Sequence, residues 1–155
     1  RKDIEKIQLR TELELLRHQV NPHFLMNTLN NIHALMDFDV DKSKDAIIRL
    51  STLMRYLLYD STKGKTSLLK ELNFIESYII LMQLRYPEKV DIQTQIPDNL
   101  PDTEIPSMLF ISFIENAFKH GVSYRQNSFV HFRIEKIDNS LICTVRNSKH
   151  DRLII

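Results

Sequence analysis

An apolar seam interrupted by a proline constrains this chain more than any other feature of its sequence. The seam consists of Leu9, Leu13, Leu16 and Val20 before Pro22, and of Leu25, Leu29, Ile32 and Met36 after it. Spacings of three and four residues are typical of a helix that packs on other helices. Because the seam restarts out of phase after Pro22, and proline removes a backbone donor, we predict a long first helix with a kink at this residue.

A second helix is predicted to follow a short acidic turn. Residues 37–43 contain three aspartates and are typical of a turn that ends in a helix N-cap. The next apolar residues fall on one helical face, and they are Ile47, Leu50, Met54 and Leu57. The two helices together form an antiparallel hairpin. Such a hairpin has too little partner surface for its apolar faces, so we expect a homodimer in which two hairpins form a four-helix bundle.

The remainder of the chain has a mixed pattern. The predicted elements are a third helix over 69–82 capped by Thr66 or Ser67, a strand over 90–96, an apolar helix from Pro106 to about His120 that Gly121 ends, and two strands over 130–134 and 141–145 joined at 138–139. The polar, glycine-bearing connector 61–65 marks a boundary. We therefore predict an α+β protein with a helical hairpin over 1–63 and a second module over 64–155.

Composition excludes several classes of protein. Lysine and arginine number 21 against 20 aspartates and glutamates, so no global charge favours nucleic acid or an anionic membrane surface. The single Cys143 excludes an internal disulfide and a multi-cysteine metal cage. No apolar run reaches the roughly 20 residues that cross a bilayer. The chain begins inside a helical pattern without an N-cap, so we expect a soluble part of a longer protein.

The string Q-V-N-P-H-F-L-M-N-T-L-N occupies residues 19–30, across the predicted kink. An imidazole is largely neutral and nucleophilic near pH 7 and can carry a phosphoryl group, so His23 is the candidate acceptor. A lone histidine in a helical bundle more often serves only as a hydrogen-bonding side chain. The whole string, however, resembles the H-box of LytS/YehU-type sensor histidine kinases, and this resemblance favours the phosphoacceptor interpretation. Asn27 then either holds the local geometry of the acceptor or merely caps the backbone near the kink.

A second string, E-N-A-F-K-H-G, occupies residues 115–121. On a helix, Asn116 lies three residues from Lys119 and four from His120, so the three side chains can meet one ligand. The Asn116 amide oxygen suits Mg²⁺, whereas the two basic side chains suit phosphate oxygens. A solvated helix face would also carry such residues. The string resembles the N-box of the GHKL ATP-binding fold, and the resemblance implies that Glu115 binds the metal through water or acts as the base for His23.

The resemblance covers nearly the whole chain. It includes the shorter strings R-Y-L-L at 55–58 and L-L-K-E-L at 68–72, and Tyr78 followed seven residues later by Arg85. It implies a GHKL-type α/β sandwich after the hairpin, with ATP and Mg²⁺ as ligands. It also implies phosphotransfer from His23 to an aspartate of a response regulator, often of the LytTR type, without direct contact with nucleic acid. The domain would be the cytoplasmic part of a bacterial membrane sensor whose anchor lies upstream.

The nucleotide site departs from the family pattern. Asn147 stands where the family commonly has the aspartate that binds adenine, and no G-x-G motif follows it. Residues 151–155 resemble a helix that normally comes after the glycine-rich lid, which implies that a lid segment is missing between residues 150 and 151. These departures support one alternative, a degenerate dimeric scaffold without catalysis. A second alternative, a helical adaptor without a nucleotide site, requires the match of the N-box string to be a coincidence.

Overall fold

The computed structural model describes residues 2–19, 21–86, 88, 90–123 and 125–150. Its α-helices are α1 (Lys2–Gln19), α2 (Pro22–Leu35), α3 (Val40–Arg55), α4 (Leu68–Arg85) and α5 (Ile111–Gly121). Its strands are β1 (Lys65–Ser67), β2 (Val90–Gln95), β3 (Glu104–Pro106), β4 (Ser128–Ile137) and β5 (Ser140–Asn147). A π-helical turn (Tyr56–Asp60) and a 3₁₀ turn (Ser61–Lys63) follow α3. The predicted α+β class is confirmed.

The proline at the start of α2 separates two helices, which corrects the prediction of one long, kinked helix. Asn21 has an extended backbone, with φ −65° and ψ 112°, because the residue before a proline disfavours the helical region. Its side chain then caps α2, and Pro22 occupies the first turn, where its missing N–H leaves no hydrogen bond unmade. His23 consequently lies at the start of a helix rather than within one.

Helix α3 begins within the predicted acidic turn. The Asp39 side chain caps it by accepting a hydrogen bond from the Lys42 N–H at 3.0 Å. Its buried face consists of Ser43, Ala46, Leu50 and Leu53. Ile47, which we predicted on the buried face, is 42% exposed instead. The hairpin therefore keeps apolar side chains in contact with solvent.

Helix α4 is the most deeply buried helix of the part that the structure describes. Ser67 caps it, as predicted, by accepting a hydrogen bond from the Lys70 N–H at 3.1 Å. Ten of its 18 residues are buried, on more than one face. One apolar cluster extends from Ile32 of α2 through α4 to Ile134 of β4. Because this cluster includes residues on both sides of residue 63, the division into modules 1–63 and 64–155 stays a prediction.

The main sheet has three strands in the order β2-β4-β5. Strands β2 and β4 are parallel, with Ile92 beside Val130, and a parallel pair needs a crossover such as the one that contains α5. Strands β4 and β5 are antiparallel and form the predicted hairpin, in whose turn Asp138 adopts φ 53°. The alternating pattern of these strands therefore predicted their pairing correctly.

A second, two-stranded sheet was not apparent from the sequence. Strands β1 and β3 pair antiparallel, with Thr66 beside Ile105. Three-residue strands are too short to show an alternating pattern. Pro106, which we predicted at the start of a helix, ends β3 instead, and α5 begins only at Ile111. This pairing holds Pro106 in extended backbone opposite Lys65.

Some predictions concern residues that the structure does not describe. Val20 and the string over 151–155 lie outside the described residues, as do the side chains of Leu13 and Leu16. Within the described ranges, no helix combines the length and the apolar character that a membrane crossing requires.

Candidate active site

His23 lies in the first turn of α2, where the N-cap fixes its backbone. The Asn21 Oδ1 accepts hydrogen bonds from the His23 N–H at 3.0 Å and from the Phe24 N–H at 3.4 Å. These bonds satisfy two of the donors that a helix start leaves unpaired. The Asn21-Pro22 pair of the string thus sets the place from which the imidazole projects.

The imidazole of His23 contacts a second asparagine of the same string. The Asn27 side-chain amide Nδ2 lies 3.2 Å from His23 Nδ1, one helical turn away. This contact leaves Nε2 as the ring nitrogen not engaged by Asn27. Of the two interpretations of Asn27, the structure therefore favours the one in which its side chain holds the histidine.

A set of aromatic rings joins α2, α4 and α5 around His23. Phe24 stacks on Tyr78 with ring centroids 5.2 Å apart, and Tyr78 meets the edge of Phe118 at 6.1 Å. Tyr86 stacks on the same Phe118 at 6.0 Å. Offset and edge-to-face pairs of this kind stabilise by about 1 kcal/mol each beyond the area that they bury. The rings thus connect the histidine-bearing helix to α5 through Tyr78 of α4.

Helix α5 presents its polar residues on the face opposite its core. Ile114, Ala117 and Phe118 are buried, whereas Glu115 and Asn116 are exposed. Partial burial nevertheless raises the pKa of the Glu115 carboxyl above its ordinary value. Glu115 also acts on Tyr78, whose pKa is raised first by burial and then by this carboxylate. Glu115 and Tyr78 therefore share one partly desolvated environment.

A cleft of about 540 Å³ brings the two motifs together. Its walls come from the start of α2, the end of α3, the far half of α4 and the exposed face of α5. The polar residues that line it are Asn21, His23, Arg85, Glu115, Asn116 and Lys119. The predicted phosphoacceptor and three predicted N-box residues are thus neighbours around one space, although more than 90 residues separate them in the chain.

Two other predicted site residues lie elsewhere. Among the described residues that line the cleft, neither His120 nor Asn147 is present. His120 is exposed near the end of α5. The Asn147 amide Nδ2 donates a hydrogen bond to the Ser148 carbonyl at 2.8 Å, and its side chain lies against Gly121. Their predicted roles in nucleotide binding stay predictions.

Sequence analysis missed Arg85 and Tyr78 as members of the site. Both line the cleft, and Arg85 adds a second cation to that of Lys119 of α5. The signal was present, because the seven-residue spacing puts Tyr78 and Arg85 two helical turns apart on one face of α4. That spacing alone did not show which element they would face.

A comparison with protein-family models decides the family. The model described as "Histidine kinase" matches residues 11–90, which is about half of the chain and includes His23. This chain belongs to the histidine kinase family. The resemblance to this family that the H-box string indicates is therefore confirmed.

Several curated relatives of this histidine kinase carry the name Sensor protein LytS. The protein from Oceanobacillus iheyensis is 31% identical over 139 residues, which cover 89% of this chain and 24% of that protein. The protein from Staphylococcus saprophyticus is 32% identical over 90% of this chain and 24% of its own length. The protein from Bacillus subtilis is 37% identical over 75% of this chain and 20% of its own length. The chain thus spans less than a quarter of these relatives.

The packing of α5 on β5 gives a first testable prediction. A Cβ added to Gly121 would lie 2.6 Å from the Asn147 Cβ, closer than side chains can approach. We expect Gly121→Ala to lower the free energy of unfolding by about 1–3 kcal/mol, since overpacking forces the backbone to shift. Urea unfolding measures this change. The double variant with Asn147→Gly should recover most of the loss, and an unaltered stability of Gly121→Ala alone would contradict the contact.

Proposed function

We propose that the protein is an ATP-dependent autokinase in which His23 accepts the γ-phosphoryl group and then passes it to an aspartate of a response regulator. The observation that carries this proposal is the cleft that His23 shares with Glu115, Asn116 and Lys119. Enzymatic phosphoryl transfer depends mainly on positioning and on neutralising charge. A cleft with the acceptor on one wall and cationic and amide side chains on another favours both.

The attacking nitrogen is Nε2 of His23, since Asn27 occupies Nδ1. With its amide nitrogen toward the ring, Asn27 donates to Nδ1 and keeps the proton on Nε2. When the Asn27 amide is rotated by about 180°, its Oδ1 faces the ring instead. The oxygen then accepts a hydrogen bond from Nδ1–H, and Nε2 carries the lone pair. The second orientation is the reactive one. Asn27 thus sets the tautomer as well as the direction of the ring.

Glu115 is the base in this proposal. As the bond from Nε2 to the γ-phosphorus forms, the bond from that phosphorus to the bridging oxygen breaks, and ADP departs. The phosphorylated ring then loses its Nδ1–H proton, which passes through solvent to Glu115, and the Asn27 amide turns back to donate to the freed Nδ1. A carboxylate whose pKa is raised by burial holds a proton more firmly than an ordinary glutamate, and this makes it a better base near neutral pH. Phe24 follows His23 directly, so the base comes from another helix.

The donor set of the cleft fits Mg²⁺ and phosphate. Mg²⁺ prefers oxygen ligands and in nucleotide sites uses one or two protein groups together with phosphate oxygens. The amide oxygen of Asn116 would hold it, with Glu115 beside it on α5. Bound Mg²⁺ supplies neutralisation of the charge on the phosphates. Lys119 and Arg85, from two different helices, add the cations that bind phosphate oxygens.

The wider setting of the kinase follows from its relatives. Proteins named as sensors are at least 31% identical to this chain and roughly four times its length, so a sensing part belongs to the proposal. We infer a bacterial membrane sensor whose cytoplasmic part contains this chain. Its phosphoryl group would pass to a response regulator of the LytTR type, and the regulator rather than the kinase would contact DNA.

The dimer of this proposal rests on apolar side chains that the hairpin leaves exposed. On α2, at its C-cap and on α3 the exposed apolar residues are Met26, Leu29, Met36, Val40, Ile47 and Ile48. Met26, Leu29 and the C-cap Met36 are spaced by three and seven residues, which forms a stripe along one face. Single exposed apolar residues are ordinary, but such a stripe on two adjacent helices favours association. Two hairpins that cover each other's stripe would form a four-helix bundle.

The phosphoacceptor is tested with γ-labelled ATP. In the full-length protein with Mg²⁺, we expect acid-labile, base-stable label on the chain and its loss in His23→Gln. His33→Gln is the matched control, because His33 is an exposed histidine near the other end of the same helix. Label that persists in His23→Gln would exclude this acceptor. Nucleotide binding without label on the wild type would favour the scaffold alternative.

The base is tested by Glu115→Gln, with Glu76→Gln as an exposed control on α4. We expect the labelling rate to fall by roughly 10²–10³-fold in Glu115→Gln, in the range of general-base removal. Because the pKa of Glu115 is raised, its basic form is lost at a higher pH than for an ordinary glutamate as the solution is acidified. The wild-type rate should therefore fall more steeply below pH 7 than the variant rate. Identical slopes would show that Glu115 is not the base.

The dimer is tested by placing a charge in the stripe. Leu29 is 45% exposed at the centre of the α2 stripe, and we expect Leu29→Glu to shift the protein toward monomers in analytical ultracentrifugation. Ile137→Glu is the control, since Ile137 is 50% exposed at the end of β4, away from the hairpin. A dimer that both variants leave intact would place the interface elsewhere.

A further inference from the structure

A fully buried carboxylate lies behind the cleft. Glu71, in the first turn of α4, has no exposed surface. Its Oε2 accepts hydrogen bonds from the Tyr56 O–H and from the Met108 N–H, the latter at 3.4 Å. Its Oε1 has no partner among the described residues. Burying a carboxylate costs free energy unless hydrogen bonds or ion pairs offset the loss of hydration. The two donors to Oε2 therefore provide the bonds that offset this cost.

The first donor, Tyr56, belongs to the end of the phosphoacceptor hairpin. It is the first residue of the π-helical turn Tyr56–Asp60, and such turns are frequent at functional sites. Its ring stacks on Phe74 with centroids 4.4 Å apart, so the hydroxyl is held in one direction. Burial, reinforced by the bond to Glu71, raises the pKa of the phenol, which therefore stays protonated and remains a donor.

The second donor, Met108, belongs to the loop that leads into α5. Its φ of 62° lies in the left-handed region, which costs a non-glycine residue about 1–3 kcal/mol and persists only when neighbours enforce it. The preceding Ser107 is also fixed, since its hydroxyl donates to the Ser61 carbonyl at 3.0 Å and its N–H to the Gly64 carbonyl at 3.1 Å. The loop before α5 is thus bonded to the end of the hairpin and to Glu71.

These contacts connect the two walls of the cleft. Leu53 and Leu57, beside Tyr56 in the chain, line the cleft on one side, and Met108 itself lines it close to α5. A movement of Met108 would displace the start of α5, and with it Glu115 one turn further on. The separation between His23 and the α5 residues consequently depends on where Glu71 holds the loop.

We propose that Tyr56 and Glu71 are positioning residues that fix the start of α5 to the end of the hairpin and so set the distance between His23 and the reacting groups on α5. The proposal rests on the autokinase function, and it gives a positioning role to two residues that contact neither phosphate nor His23. It also explains why a carboxylate, rather than an apolar residue, occupies a fully buried place in the first turn of α4. A carboxylate oxygen can accept from both donors at once.

The test uses Tyr56→Phe, which removes one oxygen and keeps the ring that stacks on Phe74. Tyr59→Phe is the matched control, because Tyr59 is in the same π-helical turn and 66% exposed. In the full-length protein, we expect Tyr56→Phe to lower kcat for autophosphorylation roughly tenfold, as misplacement of reacting groups does, with KM for ATP unchanged. Amide hydrogen exchange should accelerate in residues 105–118 and not in residues 128–147.

Variants of Glu71 separate positioning from stability. Glu71→Gln keeps an oxygen that can accept from both donors and should retain most of the wild-type kcat. Glu71→Met fills the same space without an acceptor, and replacing a buried charge by an apolar group is often neutral for stability. We expect Glu71→Met to lower kcat and to accelerate exchange at 105–118 at least as much as Tyr56→Phe, because it removes the bond from Met108 as well as the bond from Tyr56. The double variant should be no slower than Glu71→Met alone, since Glu71→Met already removes the bond from Tyr56.

Each outcome decides the proposal. A Tyr56→Phe variant that matches Tyr59→Phe in both kcat and exchange would overturn it. Exchange that accelerates uniformly over all helices would show a merely structural bond and would overturn it as well. If the wild type carries no label, the autokinase function fails, and the exchange at 105–118 still shows whether Tyr56 and Glu71 hold the start of α5.

Discussion

The burial of α4 is the constraint on which the rest of the structure depends. Most surface helices bury one face, but α4 buries residues on more than one, including Leu68, Ile75 and Leu81 at 1% exposure or less. Such a helix needs neighbours on several sides. The hairpin α2–α3 packs on it, and the same apolar cluster continues to α5 and β4. The helix that carries His23 and the helix that carries Glu115 are neighbours because both pack on α4 or on the core that it shares.

The cleft is a consequence of how these elements meet. Aromatic rings from α2, α4 and α5 fill the space where the helices touch, through Phe24, Tyr78 and Phe118. Polar side chains line the cleft together with these rings. The cleft therefore combines aromatic side chains with the polar side chains of His23, Arg85 and Lys119. An anionic ligand in this cleft would find cations from α4 and α5 and an imidazole from α2.

Much of the fold could be predicted because its signals are local. Caps, periodicity and turn residues act within a few positions, and they located α3, α4, β2 and the β4–β5 hairpin. The failures were of two kinds. Pro22 separates two helices rather than kinking one, because Asn21 adopts extended backbone before the proline and its side chain caps the next helix. Pro106 ends a strand rather than beginning a helix, since β1 pairs with β3 across a gap of more than 30 residues.

The sequence by itself determined the family of this protein and the side chains that are candidates for its chemistry. Its two motif strings contain an imidazole, a carboxylate, an amide and a lysine. These could be identified because residue types and short spacings can be recognised in a sequence without knowledge of the fold. Only the tertiary structure decided that His23 faces α5 across one cleft and that Arg85 joins it, whereas Asn147 packs against Gly121. It alone also joined Tyr56, Glu71 and Met108. These contacts depend on packing between segments that are far apart in the chain. The periodicity of one segment shows which of its faces is apolar, but it does not show which other segment packs against that face.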